Sequence, residues 1–333
     1  MSQHFILVKN RALGDAIMGL GGVQYACALY PDAKITYLVP AWVAPLFEQV
    51  QLNSFQIEIY GVDWNTLSGM VKLWRYLRSL GPLSIHEMHQ AGRGGKFFGL
   101  YSFIHRDCKY TYHNHHLSAG NSPVLDQGEH KELIQRDIDG FFSFWGSGDQ
   151  EVGRFLEYSP VIGVRGANSN QGTIILGVVA TRATKMWPLK NFVSLVQLLI
   201  SNNCQQKIVI PISSSTDDLQ IKKELVQLGL DKSCQFLQVS LSELPARLVG
   251  AACYIGNDTG LKHLACALGV RTITLFGPEP PREWHPYDHQ QHPYFYQHNL
   301  ECRTTTYHYC PLSTCESMRC LEMITPRMVC DAI

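Results

Sequence analysis

The fold is decided by residues 5–39, which read FILVKNRALGDAIMGLGGVQYACALYPDAKITYLV. The apolar run Phe5–Val8 predicts a short buried strand. A polar loop at residues 10–15 and a helical pattern over Ala16–Leu29 follow it. A second strand is predicted for Lys34–Val39, so the stretch is typical of a βαβ unit with two parallel strands.

The same alternation of strands and helices continues along the chain. We predict strands at Leu83–Ile85, Thr173–Val179, Lys207–Ile212, Ala252–Ile255 and Arg271–Phe276, and helices at Trp64–Leu80, Pro188–Ile200, Asp217–Leu228, Ser242–Leu248 and Thr259–Leu268. The small, polar residues 164–172 are the best candidate linker. We therefore expect an α/β protein with two doubly wound, Rossmann-like domains, residues 1–165 and 166–333, the second ending in a cysteine-containing tail and a final helix.

The composition excludes several classes of protein. The chain has 333 residues, of which 45% are hydrophobic, and its 28 Lys and Arg balance 28 Asp and Glu. A nucleic-acid-binding protein usually carries a basic excess, so we expect no nucleic-acid partner. Residues 16–30 contain several glycines and are shorter than the roughly 20 apolar residues that a membrane span needs. Phe5–Val8 is too short for a signal-peptide core, so we expect a cytoplasmic protein whose 11 cysteines are reduced.

The strongest local signal is the segment Ile255–His263, where a predicted strand ends and a helix begins. Backbone N–H groups at Thr259, Gly260 and Leu261 would point out of the helix start, and the helix dipole would add positive potential there. Lys262 and His263 could add charge-assisted bonds. The segment therefore favours a phosphate site, although Asp258 or Thr259 serving only as a helix cap explains the same residues.

A second polar segment, Thr181–Pro188, follows the predicted strand that ends at Val179. Ligands of open α/β sheets bind at the carboxyl edge of the strands. Arg182 and Lys185, together with the hydroxyl of Thr181, would suit a diphosphate at that edge. A solvated loop is the alternative.

The third signal is Gly14-Asp15 after the first strand. The loop contains neither G-x-G-x-x-G nor G-x-x-x-x-G-K-[ST], so neither a dinucleotide fingerprint nor a P-loop is present. If the two domains face each other, Asp15 would look towards Asp258 and Lys185, and could act as a general base. A carboxylate that only complements the helix dipole is about as good an explanation.

Two further segments stand out by composition. Residues 72–109 carry seven cations and two acids, with several histidines in or near them. No spacing there matches a zinc motif. The segment indicates a basic surface for an anionic partner, and a plain solvated face is the alternative. The tail holds Cys302, Cys310, Cys315 and Cys320, but no C-x-x-C pair is present, so reduced thiols are expected before a metal site.

A set of segments distributed along nearly the whole chain is specific through its order and spacing. The segments are Arg11–Asp15, Tyr30–Ala33, Lys185–Leu189 with Phe192, Gly256–Leu261 with His263, Ala267–Val270, and Phe276–Pro278 with Arg282, Trp284 and Pro286. Taken together, they resemble the ADP-heptose:lipopolysaccharide heptosyltransferases, glycosyltransferase family 9.

The resemblance implies a GT-B fold, in which two Rossmann-like domains face a central cleft. The second domain would bind the nucleotide sugar and the first domain the acceptor. Asp15 would be the general base of an inverting transfer, and Lys185 would stabilise the departing diphosphate without a divalent metal or other cofactor. The donor contacts implied are Thr181, Arg182, Lys185, Asp258, Thr259, Gly260, Leu261 and His263.

The acceptor implied is the anionic, lipid-linked inner core of lipopolysaccharide, contacted by Arg11, Gly14, Arg93 and Lys96. We therefore expect a monomer that makes peripheral contact with the cytoplasmic face of the inner membrane. Three alternatives stay open: a related glycosyltransferase with another donor or acceptor, a non-catalytic sugar-nucleotide-binding protein, and a nicotinamide oxidoreductase. The oxidoreductase is disfavoured by the missing glycine fingerprint.

Overall fold

A computed structural model of the chain describes residues 3–52, 57–90, 92–114, 131–148, 150–165, 172–302 and 315–333. The chain forms two compact units, Met1–Gly163 and Val164–Ile333. Most of the predicted linker, residues 166–171, lies outside the described residues. Among those that are described, no helix combines the length and apolar character that crossing a bilayer requires.

The first unit is built on a five-stranded sheet in which every neighbouring pair is parallel. Its elements are β1 (His4–Val8), α1 (Leu13–Leu29), β2 (Lys34–Pro40), β3 (Val50–Gln51), β4 (Ile57–Val62), α2 (Leu67–Ser79), β5 (Ser84–Met88), α3 (Gly92–Ile104), β6 (Lys109–His113) and α4 (Leu133–Trp145). The strand order is β4-β2-β1-β5-β6. A short strand, β7 (Gly163–Val164), lies in sequence where the two units meet.

The second unit repeats this design with six parallel strands. Its elements are β8 (Thr173–Gly177), α5 (Leu189–Ser201), β9 (Lys207–Pro211), α6 (Thr216–Gln227), β10 (Gln235–Leu237), α7 (Leu244–Leu248), β11 (Cys253–Asn257), α8 (Gly260–Ala267), β12 (Thr272–Phe276), α9 (Pro281–Trp284), β13 (Tyr294–Tyr296), α10 (Arg319–Glu322) and α11 (Pro326–Cys330). The strand order is β10-β9-β8-β11-β12-β13. The predicted α/β class with two doubly wound sheets is confirmed.

Each sheet has one point at which the strand order reverses. In the first unit the chain builds outward from β1 to β2 and β4, and then returns to place β5 on the other side of β1. In the second unit the equivalent reversal lies between β8 and β11. Loops leaving the carboxyl ends of the two strands diverge at such a point and leave a crevice, which is where ligands of this architecture bind.

The predicted loop at residues 10–15 is partly wrong, because α1 begins at Leu13 and not at Ala16. Gly14 and Asp15 therefore lie in the first helical turn. An acidic side chain there is stabilised by the dipole of the helix, so the carboxylate favours the earlier start. The helix predicted from Trp64 begins instead at Leu67, because the side chain of Thr66 caps it by accepting from the backbone N–H of Gly69 at 3.1 Å.

The glycines of α1 allow it to pack closely against α4. A Cβ atom on Gly21 would lie 2.6 Å from Cγ2 of Ile134 and 2.7 Å from the backbone oxygen of Tyr158. On Gly22 it would lie 2.9 Å from Cβ of Asp137. These distances are shorter than van der Waals contact, so only glycine fits at both positions without a shift of the backbone.

We predict that Gly21→Ala lowers the free energy of unfolding by about 1–3 kcal/mol, because the added methyl group overpacks the contact between α1 and α4. Gly99→Ala in α3 is the matched control, since nothing lies within 4 Å of its added Cβ. Alanine there should be neutral or stabilise by up to about 1 kcal/mol, because alanine has the higher helix propensity. Urea denaturation of both variants gives the comparison, and equal effects would contradict this account of the packing.

Candidate functional site

The first candidate group is the carboxylate of Asp15, just beyond the carboxyl end of β1. Its residue is only 8% exposed. Burial raises the pKa of this carboxyl above its ordinary value, while the positive charges of Lys9 and Arg11 oppose the rise. A carboxylate with a raised pKa binds a proton more readily, so this side chain is suited to general-base work.

A fully buried network of hydrogen-bonded side chains lies close to Asp15. Its members come from the end of β1, from β5 and β6, and from α4. Lys9 donates to both carboxylate oxygens of Asp137 at 2.7 Å, and Nε2 of His113 lies 3.2 Å from the same carboxylate. Nε2 of His86 lies 3.1 Å from Nδ1 of His113. Burial lowers the pKa of both imidazoles, so the rings are neutral. The ammonium of Lys9 therefore balances the charge of Asp137. The two histidines pack in the core as neutral, hydrogen-bonded side chains.

The four predicted acceptor contacts surround the same reversal point in the first sheet. Arg11 is exposed and Gly14 is buried, and both lie just beyond β1. Arg93 and Lys96 lie in the first turns of α3, beyond the neighbouring strand β5, and both are exposed. Arg93 donates to the backbone oxygen of Trp64 at 2.8 Å, which fixes the direction of its guanidinium group.

The second candidate group is a cluster of three charges at the reversal point of the second sheet. Asp258 lies between two ammonium groups, 2.8 Å from Nζ of Lys185 and 2.7 Å from Nζ of Lys262. Asp258 itself is buried, and the two cations hold the pKa of its carboxyl well below the ordinary value, against the effect of burial. Lys185 is the partly exposed cation of the cluster, and Lys262 is fully buried.

The amide side chain of Asn257 fixes the distance between these charges. Its Oδ1 accepts from the backbone N–H of Trp187 at 2.9 Å, and its Nδ2 donates to the carbonyl of Val178 at 2.9 Å. Trp187 is fully buried and donates through its indole N–H to the carbonyl of Ile324. The last residue of β11 therefore anchors the segment that carries Lys185.

The structure places Thr259, Gly260 and Leu261 at the start of α8, with Thr259 in extended backbone conformation as the N-cap residue. The helix was predicted to begin at Thr259 but begins at Gly260. The side chain of Thr259 caps no helix N–H group, and the carboxylate of Asp258 is engaged by the lysines. Neither side chain explains the segment as a simple helix cap, so its N–H groups keep their suitability for an anion.

The structure uses Lys262 and His263 differently from the expected free cations. Lys262 is completely buried. Its ammonium donates to the carboxylate of Asp258 at 2.7 Å and to the carbonyl of Trp284 at 2.8 Å. Nδ1 of His263 lies 2.6 Å from the hydroxyl of Tyr287, and burial holds the pKa of the ring well below its ordinary value. Both side chains therefore support Asp258 from inside the unit.

The remaining predicted donor contacts lie on the segment that follows β8. Thr181 is exposed, and Arg182 forms an ion pair with Glu279, which follows β12. Burial raises the pKa of the Glu279 carboxyl, although Lys185 and Arg182 oppose the rise. Sequence reasoning missed Glu279, and the only signal for it was its position directly after Phe276-Gly277-Pro278 at the end of a predicted strand.

Among the described residues, no group of three or more His, Cys, Asp or Glu side chains is arranged to hold a metal ion. The cysteines that the structure describes are free thiols, including Cys302, Cys315 and Cys320. Cys310 lies outside the described residues.

Comparison with known proteins decides the family. The model of Glycosyltransferase family 9 (heptosyltransferase) matches residues 130–312, more than half of the chain. This chain belongs to glycosyltransferase family 9. Lipopolysaccharide heptosyltransferase 1 of Salmonella typhimurium is 34% identical over 101 residues, 30% of this chain and 31% of that protein. The Campylobacter coli protein of the same name is 30% identical over 114 residues, 33% of each chain. The aligned stretches thus span about a third of these relatives.

Solved structures support the fold over almost the whole chain. Escherichia coli ADP-heptose lipopolysaccharide heptosyltransferase II gives a TM-score of 0.72 at 18% identity, covering 99% of this chain and 96% of that one. The family 9 glycosyltransferase of Veillonella parvula gives 0.70 at 17% identity, covering 100% and 96%. E. coli heptosyltransferase WaaC with ADP gives 0.65 at 17% identity, covering 88% and 92%. The predicted GT-B fold class and family resemblance are confirmed.

We predict that Asp258→Asn lowers the free energy of unfolding by about 3–5 kcal/mol at neutral pH, because it leaves Lys262 buried without a counter-charge. The difference in free energy of unfolding between the wild type and this variant should persist above a pH of about 4, the ordinary pKa of an Asp carboxyl. It should decline as the pH falls below that value.

Lys262→Met is the matched comparison, since Asp258 then keeps Lys185 as a partner. It should cost less than the change at Asp258, as measured by urea denaturation across pH. A larger cost for the lysine variant would show that its contacts with Phe276 and Trp284, and not the ion pair, dominate.

Proposed function

We propose that the protein is an inverting, metal-independent glycosyltransferase that moves a heptose from ADP-heptose to a hydroxyl of the lipopolysaccharide inner core. The observation that carries the proposal is the pairing of chemistry with topology. A buried carboxylate, Asp15, lies at the reversal point of the first sheet, and a cluster of two lysines with Asp258 lies at that of the second. Family membership supports this assignment, and E. coli WaaC has been solved with ADP and with ADP-2-deoxy-2-fluoro heptose.

In the proposed reaction, Asp15 takes the proton from the acceptor hydroxyl while that oxygen attacks the anomeric carbon of the heptose. The bond between that carbon and the diphosphate oxygen breaks on the opposite face, so the anomeric configuration inverts. ADP leaves with the electron pair of that bond, and the proton stays on Asp15 until it passes to water. Each step uses one proton acceptor and one leaving group, and no oxidant or metal takes part.

The diphosphate would be held by Lys185, by the start of α8 at Thr259, Gly260 and Leu261, and by Arg182 with Thr181 beside them. A fixed positive charge at the leaving group lowers the barrier because it acts where negative charge develops. Lys185 is paired with Asp258. Because Lys262 also neutralises Asp258, the ammonium of Lys185 can turn to the diphosphate without leaving a buried carboxylate unpaired.

On the acceptor side, we propose that Arg11, Arg93 and Lys96 bind the acidic groups of the inner core, with Gly14 allowing close approach to the start of α1. Exposed cations suit a phosphorylated, carboxylate-bearing saccharide. We assign Asp258 to the sugar side of the donor. We assign His263 to the diphosphate-binding turn, which it supports through its contacts with Tyr287 and Asp258.

We predict that Asp15→Asn lowers the rate of heptose transfer by roughly 10²–10⁴-fold while donor affinity changes little, because the amide keeps the shape but accepts no proton. Asp32→Asn is the control, since this exposed carboxylate lies at the other end of α1. Transfer is measured from ADP-heptose to a heptose-deficient inner core, with excess EDTA present. Activity that needs added Mg²⁺ would contradict the metal-free mechanism, and full activity of the Asp15 variant would remove Asp15 as the base.

We predict that the acid limb of the pH profile of kcat/KM lies above the ordinary Asp value of about 3.9, because burial raises the pKa of the base. Arg11→Gln should move this limb to higher pH, since it removes a cation that lowers the pKa of Asp15. Lys34→Gln removes an equal charge at the amino end of β2, away from Asp15, and should leave the acid limb at the same pH. A limb that shifts equally in both variants would contradict a local effect on Asp15.

A further inference from the structure

The outer face of helices α2 and α3 has features that the proposed chemistry does not use. The two helices pack side by side, with the indole ring of Trp74 centred 4.8 Å from the ring of Tyr101 and 5.8 Å from that of Phe97. Their inner faces share one buried core through Leu73, Leu77 and Phe98. The outer faces of both helices therefore form one continuous surface of the first unit.

That outer surface is unusually apolar. Five large apolar side chains, each between 40% and 74% exposed, lie on these two short helices: Leu67, Val71, Leu100, Phe103 and Ile104. Single exposed apolar residues are common, but Leu100, Phe103 and Ile104 share one face of the last turns of α3, at positions i, i+3 and i+4. Such grouping is typical of an interaction surface.

The same surface is strongly cationic. Lys72, Arg75 and Arg78 on α2, and Arg93 and Lys96 on α3, are exposed, and neither helix contains an Asp or Glu. The guanidinium of Arg106, just beyond α3, lies 4.9 Å from the ring centre of the exposed Phe103. Between residues 67 and 109 the only acids are Asp107, which is exposed, and Glu87, which is buried and accepts from the hydroxyl of Tyr110.

We propose that the α2/α3 surface docks on an anionic lipid bilayer, with its apolar side chains entering the interface and its Lys and Arg side chains contacting lipid phosphates. Helices that lie in a membrane interface combine these two features, and long cationic side chains reach the headgroups while their stems cover apolar surface. An acidic protein partner would use the cations but would not require Phe103, Leu100 and Ile104 to be exposed beside them. The inference deepens the proposed function, since a lipid-linked acceptor lies in such a bilayer.

The docking surface adjoins the proposed acceptor site within the same unit. The first turns of α2 and α3 lie at the carboxyl edge of the sheet, beyond β4 and β5, and Arg93 and Lys96 begin α3 there. The end of the surface that carries Arg93 and Lys96 is therefore the end nearest to the edge that carries Asp15, whereas Leu100, Phe103 and Ile104 lie on the last turns of α3. A bilayer that lies along the length of α3 would reach this edge.

Vesicle co-sedimentation of the whole protein tests the proposal without donor or acceptor. The probes are vesicles of equal parts phosphatidylglycerol and phosphatidylcholine, and vesicles of phosphatidylcholine alone. We expect binding to the anionic vesicles, weaker binding to the neutral ones, and loss of affinity as salt rises. Arg75→Glu with Arg78→Glu should weaken anionic binding by roughly tenfold or more. Leu100→Gln, Phe103→Gln and Ile104→Gln together should weaken binding to both kinds of vesicle.

Val226→Gln with Leu228→Gln is the matched control, because these side chains are 40% and 50% exposed on the second unit. The control should bind like the wild type, and circular dichroism checks that every variant is folded. Wild-type protein that stays in solution, or an apolar variant that binds as tightly as the control, would overturn the docking surface. Because the assay needs no turnover, such a result leaves the transfer reaction to its own test. Full transfer by Asp15→Asn would remove Asp15 as the base and would leave the docking proposal untouched.

Discussion

The parallel pairing of strands is the constraint on which the rest of the structure depends. Every neighbouring pair in the five-stranded and the six-stranded sheet is parallel, so each strand must be followed by a connection that returns the chain to the starting edge. All carboxyl ends therefore meet at one edge of each sheet. Parallel pairing thus brings together the polar segments that follow β1 and β5 in the first sheet. In the second sheet it does the same for the segments that follow β8, β11 and β12.

Buried charge is the second theme, and each unit balances it locally. In the first unit Lys9 neutralises Asp137 while the histidines beside them stay neutral. In the second unit two lysines share the carboxylate of Asp258. Breaking such pairs costs more than forming them gains, so both clusters are fixed features that hold neighbouring functional groups in place. Lys185 is the partly exposed member of the second cluster, and Asp15 lies buried beside the first.

Much of the fold could be predicted from the sequence because βαβ units have a strong periodic signal. Apolar runs of four to eight residues and helices bounded by Pro or Gly located β1, β2, β8, β9, β11 and β12 within about two residues. The elements that were missed have weaker patterns. β4 and β6 mix apolar with polar residues and contain no continuous apolar run, and α3 begins with three glycines in four positions. At the start of α4 the cap position holds Glu132, which makes no side-chain cap, and not the Ser, Thr, Asp or Asn that usually marks a helix start.

The candidate site likewise contains residues that the sequence could predict and residues whose roles it could not. Asp15, Lys185 and Asp258 were found because each follows a predicted strand, and position relative to a strand end can be read from a sequence. The roles of Lys262, Asn257 and Glu279 could not be predicted in this way, because they depend on distances that only the folded chain sets. A lysine in a helix start suggests a free cation by pattern, and only its burial shows that its charge is already used.

The central claim is that the lysine-rich site after β8 and β11 binds the diphosphate of an adenine nucleotide sugar. Calorimetric titration of the purified protein with ADP, UDP, GDP and NAD⁺, without divalent metal, tests it most directly. The account predicts that ADP binds selectively and that Lys185→Met weakens this binding. Binding of NAD⁺ alone, or ADP binding that does not change in the Lys185 variant, would contradict it.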